Sequence, residues 1–389
     1  MMHPLIIVDI NNYIQKLDVV EIKILNKVLG EKGDSFTIYT KKESNNPYII
    51  VQKMVSNKTD QQVKIPSDFT PYEYYVSDED EQKIHYKFML INGKNNKKEC
   101  SETNYLNLLE ELIYAGNSRQ TRNGLTNSVF GKTIEYDIRE KFPLLTTKKV
   151  FFRGIIEELL FFIAGKTDTK LLEAKGVNIW KGNTSTEFIK SVNLPYREGD
   201  MGPMYGFNWL HFNAVYTGCD ADYTNKGFNQ FDQVIRLLKE DPYSRRIIMT
   251  SYNPAVASDG VLYPCHGIAI QFYVRDLNDK KYVSCSMTQR SADIACGVPY
   301  NIASYAALVY IICSYLGDEY RPDRLIMNFG DIHLYEEHIN EALVQIKRTG
   351  YEFPSLEINK FDNFSDLTFE HFNLKNYQCH EPIKYIMKA

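Results

Sequence analysis

The sequence has few of the features that mark a metal-binding, secreted or nucleic-acid-binding protein. Seven cysteines are scattered along 389 residues without a CxxC pair, which argues against a zinc knuckle or a disulfide framework and favours a reduced, cytoplasmic protein. No HExxH motif occurs among the eight histidines, so no metal is expected. The formal net charge of −4 is not the basic excess of a protein that grips phosphate backbones, so a nucleic-acid partner is not expected.

Phosphate-binding glycine loops are also missing, since neither GxGxxG nor GxxxxGK[ST] occurs. The N-terminus has no basic region of the kind that opens a secretory signal. Residues 294–317 lack any charge and could span a bilayer by length. Pro299, Asn301 and two serines interrupt this stretch, which favours a buried central helix of a soluble domain over a membrane span.

The first hundred residues differ in composition from the rest. They contain short Asn- and Lys-rich segments and an acidic run at 77–82. Short β-like runs lie between these, at 36–39, 48–51 and 85–91. The pattern predicts a small strand-containing region over 1–100, ending in a polar linker at 92–103 and followed by a second domain over 101–389.

From Glu102 onward, helical and strand-like patterns alternate irregularly. The pattern lacks the regular βαβα alternation of a doubly wound fold and therefore predicts the α+β class. Helices are predicted at 104–116, 150–164, 228–238 and 334–347, and strands at 127–138, 246–252, 267–274, 282–288 and 325–329.

The sharpest local signal for chemistry is Tyr263-Pro264-Cys265-His266, directly before a predicted strand. A nucleophilic cysteine must be exposed and must form a thiolate, and a flanking histidine or a nearby arginine can lower its pKa. The alternative is that Cys265, like most free cysteines, is a small buried apolar residue.

Three further segments could bind a ligand. The QRSAD segment at 289–293 follows a predicted strand, and its arginine, hydroxyl and backbone donors suit a phosphate or carboxylate. Arg245-Arg246 precedes another strand, and either segment could equally be a solvated turn or strand entry. His333 and Tyr335 are spaced to bind a sugar hydroxyl, with an ordinary loop as the alternative.

Taken together, these segments resemble the thymidylate synthase family, over residues from about 104 to 389. The resemblance implies the α+β synthase fold, with a mixed sheet that forms the interface of a homodimer and a long buried central helix. The motifs that carry it are PLLTTK (143–148), EELLFFIAG (157–165), GPMYGFNW (202–209), RRIIM (245–249), PCH (264–266), QRSAD (289–293), GVPYNIASYA (297–306) and GDIHLY (330–335).

The resemblance also implies an activity and its residues. The reaction is the reductive methylation of dUMP to dTMP, with 5,10-methylenetetrahydrofolate as carbon and hydride donor and without metal or nicotinamide. Family positions assign catalysis to Cys265, Glu158, Tyr205, Asn301 and Arg290, with Cys265 adding to C6 of the base. They assign dUMP binding to Arg122, Arg245, Arg246, Arg290, Ser291, Asn301, His333 and Tyr335, with Arg245 and Arg246 supplied by the other subunit. They assign folate binding to Lys148, Trp180, Asn183, Asp293 and Ala389.

The chain departs from the family pattern in a segment interpreted as a loop, 121–131, where Arg122 aligns only after a one-residue shift. Two other functions stay open: a dUMP hydroxymethyltransferase and a non-catalytic homologue that binds a nucleotide or RNA. Residues 83–93 faintly resemble the last strand of a dihydrofolate reductase. The first hundred residues are therefore interpreted either as a remnant of a reductase fusion or as an accessory interaction surface, without reductase activity.

Overall fold

The computed structural model describes residues 102–386 in full and, before them, the backbone of residues 20–22, 35–40, 49–54, 74–77 and 83–86. Contacts between Cα atoms divide the chain into one unit over Met1–Glu99 and another over Cys100–Ala389. Each unit is described by itself.

The described part of the first unit consists of two small antiparallel sheets. Strands β1 (Val20–Ile22), β2 (Ser35–Thr40) and β3 (Ile49–Met54) form the first sheet in that order, and β4 (Tyr74–Ser77) pairs with β5 (Lys83–Tyr86) in the second. β2 covers the predicted run at 36–39, β3 overlaps the run at 48–51, and β5 meets only the start of the run at 85–91. The predicted linker at 92–103 lies outside the described residues, apart from its last two.

The second unit mixes helices and strands, which is consistent with the α+β prediction. Its helices are α1 (Thr103–Ala115), α2 (Phe152–Ile163), α3 (Lys170–Glu173), α4 (Thr186–Ser191), α5 (Gly206–Leu210), α6 (Gln230–Glu240), α7 (Gly297–Leu316) and α8 (Ile339–Ile346). Its strands are β6 (Asn117–Thr121), β7 (Gly124–Asp137), β8 (Ile248–Met249), β9 (Ala269–Leu277), β10 (Lys280–Asp293), β11 (Tyr320–Tyr335), β12 (Ser355–Ile358) and β13 (Phe372–Lys375).

One six-stranded sheet organises this unit, in the order β6-β7-β11-β10-β9-β8. β10 and β11 run parallel, whereas the other neighbours in the sheet are antiparallel. Because the two parallel strands end at the same edge, Ser291 lies beside Asp331 and Asp293 beside His333. Such an edge, at the carboxyl ends of parallel strands, is a common place for a ligand site.

Helix α7 forms the centre of the core and packs against β10 and β11. It is long and apolar enough to cross a membrane, but 78% of its most apolar window is buried inside the protein. The prediction of a buried central helix is confirmed. The opposite face of the sheet carries exposed side chains, including Tyr273, which is 62% exposed.

Several predicted boundaries were wrong, and long-range pairing explains why. β11 runs for 16 residues instead of five, because β10 and β7 pair with it on both sides although Pro322 and Gly330 break its apolar pattern. The predicted strand at 246–252 shrinks to β8, which pairs with β9 over two residues. The predicted helix at 334–347 begins only at Ile339, since Leu334 and Tyr335 still belong to β11.

The segment at 121–131 is not a loop, which corrects that interpretation. β6 and β7 form an antiparallel hairpin in which Thr121 pairs with Gly124, so only Arg122 and Asn123 lie in the turn. Gly124 has φ +133°, a conformation that side-chain-bearing residues rarely adopt. Arg122 is therefore held at the tip of a short hairpin and not within a long loop.

Candidate active site

Cys265 lies in the segment that leads into β9, and its neighbours fix the backbone there. Its carbonyl accepts a hydrogen bond from the backbone nitrogen of Arg290 at 2.9 Å. Gly267 has φ +64°, and a Cβ at this position would lie 2.5 Å from Ser251 Oγ. A glycine two residues after the cysteine is therefore required for the chain to turn past Ser251 into the sheet.

Tyr205 contacts Cys265 directly. Its phenol oxygen lies 3.4 Å from Cys265 Sγ and accepts a hydrogen bond from the backbone nitrogen of Cys265 at 3.3 Å. Tyr205 has φ +36°, a strained conformation for a non-glycine residue, and it directly precedes α5. Gly206 fits closely against α2, because a Cβ there would lie 2.3 Å from the carbonyl oxygen of Phe162.

The surroundings of Cys265 act on its ionisation in opposite directions. Burial raises the pKa of the thiol above its ordinary value, whereas the Tyr205 hydroxyl and the Arg290 guanidinium pull the pKa down. His266 does not help, because burial lowers the pKa of its imidazole to about 3 and leaves it neutral. Its Nδ1 lies 2.8 Å from the hydroxyl of Tyr305. Of the two thiolate-stabilising groups suggested by the sequence, only the arginine carries charge.

Arg290 is oriented by the same segment that holds the cysteine. Its Nε donates to Pro264 O and its Nη2 to Tyr263 O, both at 3.0 Å, and the side chain is exposed. The QRSAD segment does not follow a strand as predicted but forms the last residues of β10. Pairing with β11 extends the strand beyond its apolar run, which is why the sequence pattern ended it early.

Two adjacent glutamates of α2 have different environments. Glu157 forms an ion pair with Lys175, with Oε2 and Nζ 2.6 Å apart. Glu158 has no such cation among the fully described residues, and it accepts a hydrogen bond from Trp180 Nε1 at 2.7 Å. Burial raises the pKa of Glu158 to about 7, although the Trp180 bond opposes this shift. Glu158 can therefore gain or lose a proton near neutral pH.

A second group of predicted residues lies around Lys148. The Lys148 Nζ donates to Ala295 O at 2.5 Å and lies 4.4 Å from the ring centre of Tyr385. Burial lowers the pKa of Lys148 to about 8. Asp293 Oδ1 accepts hydrogen bonds from the backbone nitrogens of Ala295 and Cys296, at 2.8 and 3.0 Å. Lys148 and Asp293 thus face the same turn, before α7.

The end of β11 presents the predicted sugar-binding pair. His333 Nδ1 lies 3.1 Å from Asp331 Oδ1, and the other oxygen of Asp331 accepts from Arg119 at 2.8 Å. The rings of His333 and Tyr335 meet edge to face at 5.4 Å. Tyr335 pairs with Thr126 across the sheet, and a Cβ at Gly124, next to the Arg122–Asn123 turn, would lie 3.8 Å from its ring. The structure therefore brings the Arg122 turn towards the end of β11.

The remaining predicted residues differ in burial and in hydrogen bonding. Asn301 lies in α7 and is 8% exposed. The Asn183 Nδ2 is buried and has no hydrogen-bond partner among residues 102–386. Arg245 and Arg246 are exposed, and in the described part of this chain no hydrogen bond joins them to a predicted site residue. Ala389 lies outside the described residues.

Within residues 102–386, two clusters combine side chains that could hold a metal ion: Asp293, Cys296 and His338, and Asp168, Cys219 and Asp220. Arg197 already donates to both aspartates of the second cluster. In the first, burial raises the pKa of the Cys296 thiol to about 12, which keeps the sulfur protonated at neutral pH. The expected absence of a metal stays a prediction.

Sequence reasoning missed the residues that orient the site rather than form it. Asp331 stands within the GDIHLY motif, two residues before His333, yet it also accepts a hydrogen bond from Arg119, which lies 212 positions away in the sequence. Tyr305 stands within GVPYNIASYA, but no local signal shows that its hydroxyl meets His266. The strongest case is Glu102, which is fully buried but belongs to none of the motifs singled out in the sequence.

A thiol in contact with a phenol, an arginine anchored beside it and a carboxyl group that titrates near neutrality define an enzyme of covalent nucleophilic catalysis. The family model described as "Thymidylate synthase" matches residues 103–389. The chain belongs to the thymidylate synthase family.

Individual relatives agree with this assignment. The chain is 44% identical over 289 residues to the thymidylate synthase of human herpesvirus 8 type P, covering 74% of this chain and 84% of that protein. It is 41% identical over 315 residues to the bifunctional dihydrofolate reductase-thymidylate synthase of Paramecium tetraurelia, covering 79% of this chain and 67% of that protein.

A third relative extends the similarity towards the N-terminus. The bifunctional dihydrofolate reductase-thymidylate synthase of Plasmodium berghei is 38% identical over 371 residues, covering 91% of this chain but 61% of that protein. A match over 91% of the chain must reach into the hundred residues before Ser101. The chain spans roughly two thirds of the length of these two bifunctional relatives.

Proposed function

We propose that this chain converts dUMP to dTMP, taking both the carbon and the hydride from 5,10-methylenetetrahydrofolate and releasing dihydrofolate. The observation that carries the proposal is the contact between Tyr205 and Cys265 beside the anchored Arg290. C5 of a uracil is a weak nucleophile, so a thiolate that adds to C6 makes C5 enolate-like and reactive. Covalent addition thereby divides one difficult step into easier ones.

Cys265 is the nucleophile in this proposal. Arg290 and the phenol of Tyr205 are the groups that favour its thiolate, against the penalty of burial. Once the nucleotide is bound, the Asn301 amide holds the O4 and N3–H of the base, where the enolate charge develops. Such a polar contact rejects a cytosine, because the exchanged donor and acceptor would stay unpaired.

Proton transfers are assigned to Glu158 and Tyr205. With a pKa of about 7, Glu158 is present in both forms near neutral pH and moves protons at O4 and at the folate. Tyr205 assists removal of the C5 proton, and its pKa, raised well above the ordinary value by burial, keeps it a neutral hydroxyl. A neutral phenol can accept and donate a hydrogen bond in the same step.

Nucleotide binding is assigned to the edge where β10 and β11 end. Arg290, Ser291 and Arg122 bind the phosphate, and His333 and Tyr335 bind the deoxyribose 3′-hydroxyl. Asp331 orients the imidazole of His333 through the 3.1 Å contact.

The folate side fits the chemistry of a pterin, which presents both donors and acceptors. Lys148, Trp180, Asn183 and Asp293 are the proposed contacts, together with Ala389 at the chain end. The buried Asn183 Nδ2, unpaired within residues 102–386, is the observation that favours a ligand here, since an unmet buried donor is costly. No metal and no nicotinamide takes part in the proposed reaction, and we place the enzyme in the cytoplasm.

We propose a homodimer that packs through the outer face of the sheet and shares its active sites. That face carries a depression of about 370 Å³, lined in part by Tyr273, Ile326 and Arg245. Exposed apolar side chains such as Tyr273, at 62%, and Ile248, at 47%, favour a protein partner there. Arg245 and Arg246, unengaged by this subunit's site, would reach the partner's phosphate site.

The test is turnover of the full chain with dUMP and the folate, with the product identified by mass. A methyl product supports the proposal, whereas a hydroxymethyl product would assign the chain to the related hydroxymethyltransferases. Cys265→Ala should abolish turnover and the covalent capture of 5-fluoro-dUMP but still bind dUMP. Cys219→Ser is the control, because Cys219 is another partly buried cysteine and touches none of the proposed residues. Normal turnover by Cys265→Ala would refute the mechanism.

A further inference from the structure

Glu102 is a fully buried carboxylate directly before α1, and it is hydrogen-bonded to the segment that carries Lys148. Thr146 donates to its Oε2 through both the backbone nitrogen, at 2.6 Å, and the hydroxyl, at 2.7 Å. The Thr147 backbone nitrogen donates to the same oxygen at 3.1 Å, and the Thr147 hydroxyl donates to Oε1. Glu102, Thr146 and Thr147 are all 1% exposed or less. Four donors from Thr146 and Thr147 thus converge on the Glu102 carboxylate, and Thr147 directly precedes Lys148.

The same threonines continue the network towards the chain end. Gln345 Nε2 donates to Thr147 Oγ1 at 2.9 Å, and Gln345 Oε1 accepts from Tyr385 at 2.8 Å. The ring of Tyr385 is the one that lies 4.4 Å from Lys148 Nζ. Lys148 is therefore held from two directions, through its own backbone neighbours and through Tyr385.

We propose that Glu102 is a positioning residue for folate binding, which acts by holding Lys148 and Tyr385 in place through Thr146, Thr147 and Gln345. This inference rests on the proposed function, because Lys148 is a proposed folate contact. The carboxylate is well suited to the task, since its two oxygens offer about four acceptor sites and it has no donor group.

Charge supports the same role. Burial lowers the pKa of Lys148, and the negative charge of Glu102 is among the influences that raise it again. Removing that charge would let Lys148 lose its proton at a lower pH. Glu102 therefore affects both the place and the protonation of the lysine, which a purely structural residue would not do.

Three variants of the full chain separate these effects. Glu102→Gln keeps the shape of the side chain and removes its charge. Thr147→Val removes the hydroxyl that links Glu102 to Gln345. Glu102→Ala removes the carboxylate and all its hydrogen bonds. Asp323→Asn is the matched control: Asp323 is another fully buried carboxylate, held by Arg275 and Ser284, ten residues along β11 from His333. The dimerisation of Asp323→Asn is measured in the same experiment.

The measurements are the KM and the directly measured Kd for 5,10-methylenetetrahydrofolate, the Kd for dUMP, kcat and the melting temperature. We expect the folate KM and Kd to rise tenfold or more in Glu102→Ala and by less in Thr147→Val, with the Kd for dUMP within twofold. In Glu102→Gln, most of the affinity should return, but the rise of the folate Kd at alkaline pH should begin at a lower pH than in the wild type. Asp323→Asn should show neither change.

Unchanged folate affinity and pH dependence in both Glu102→Gln and Thr147→Val would overturn the inference, even if Glu102→Ala failed to fold. Equal losses in folate and dUMP affinity would overturn it too, because they would indicate a general structural defect. A wild-type chain that binds the folate but makes no dTMP would contradict only the proposed function, since the folate Kd of each variant would still report on Glu102.

Discussion

The phenol oxygen of Tyr205 makes two contacts with Cys265, lying 3.4 Å from its sulfur and 3.3 Å from its backbone nitrogen. Because the backbone N–H donates to the phenol, the phenol proton is free to point at the sulfur. A thiolate would receive that hydrogen bond, which stabilises the charged form. The geometry couples the proposed nucleophile to the proposed proton-transfer group.

Tyr205→Phe should reduce kcat by about a hundredfold or more, the usual size of a general acid–base contribution. Affinity for dUMP should change little, because the ring can keep its stacking on His266, with centroids 4.3 Å apart. The Cys265 thiol should also react more slowly with iodoacetamide at neutral pH, since a bond that lowers its pKa is lost. Tyr310→Phe is the control, because its hydroxyl bonds the carbonyl of Ile138 and no site residue. An unchanged kcat in Tyr205→Phe would remove Tyr205 from the mechanism.

Glu158→Gln should change how stability depends on pH. The carboxyl pKa is raised from 4.5 to about 7 in the fold, so the folded protein holds a proton that the unfolded chain has already released between these values. Its contribution to stability is therefore full below pH 4.5 and declines as the pH rises through 7, by about 3 kcal/mol in total. The glutamine stays neutral and should not show this decline.

Urea unfolding at pH 5 and pH 8 measures this effect. The free energy of unfolding of the wild type should fall more between the two values than that of Glu158→Gln. Glu157→Gln, which loses an ion pair with Lys175 instead, should not reduce the decline. Parallel behaviour of the wild type and Glu158→Gln would mean that the Glu158 pKa is not raised.

Shared active sites predict complementation between two inactive variants. Cys265→Ala subunits mixed with Arg245→Glu subunits should regain about a quarter of the wild-type activity, because half of the dimers are mixed and each contains one intact site. Activity is measured after subunit exchange has been demonstrated with labelled chains. Replacing the second partner with the double variant Cys265→Ala/Arg245→Glu is the control and should give none. Exchange without recovered activity would show that Arg245 acts within its own subunit or not at all.

The first hundred residues should be dispensable for the reaction. A chain that begins at Cys100 keeps Glu102 and every proposed site residue, so it should dimerise and form dTMP. The full chain should not oxidise NADPH in the presence of dihydrofolate, because a hundred residues can hardly enclose both a folate and a nicotinamide cofactor. NADPH oxidation by the full chain alone would make it bifunctional, as its Paramecium and Plasmodium relatives are named. Loss of dimerisation on truncation would give the region a structural role.

Short-range patterns were sufficient to predict α7 and to single out Cys265 and Arg290. α7 is encoded by one uncharged run, and the two side chains lie in segments whose composition already suggests chemistry. The length of β11 was not predictable in this way, because its edges are fixed by β10 and β7, which are distant in sequence. The charge of His266 could not be predicted either. Its imidazole is neutral because it is buried in the fold, and the residues next to it in the sequence do not indicate that burial.

The same limit explains why Glu102 was overlooked. An acidic residue before a helix is ordinarily read as favourable to the helix N-terminus. Its donors, Thr146 and Thr147, follow 44 and 45 residues later. Only the folded chain shows that its carboxylate is bonded to the neighbours of Lys148.

The parallel pairing of β10 and β11 has a consequence for how the protein must fold. Parallel neighbours cannot be joined by a tight turn, and here the connection between them contains the 20 residues of α7. The proposed phosphate ligands precede that helix and the proposed sugar ligands follow it, so the two halves of the nucleotide site come together only when the helix has docked. An undocked α7 would expose a long apolar surface, and surfaces of this kind favour aggregation. Docking of α7 therefore both completes the binding edge and buries that apolar surface.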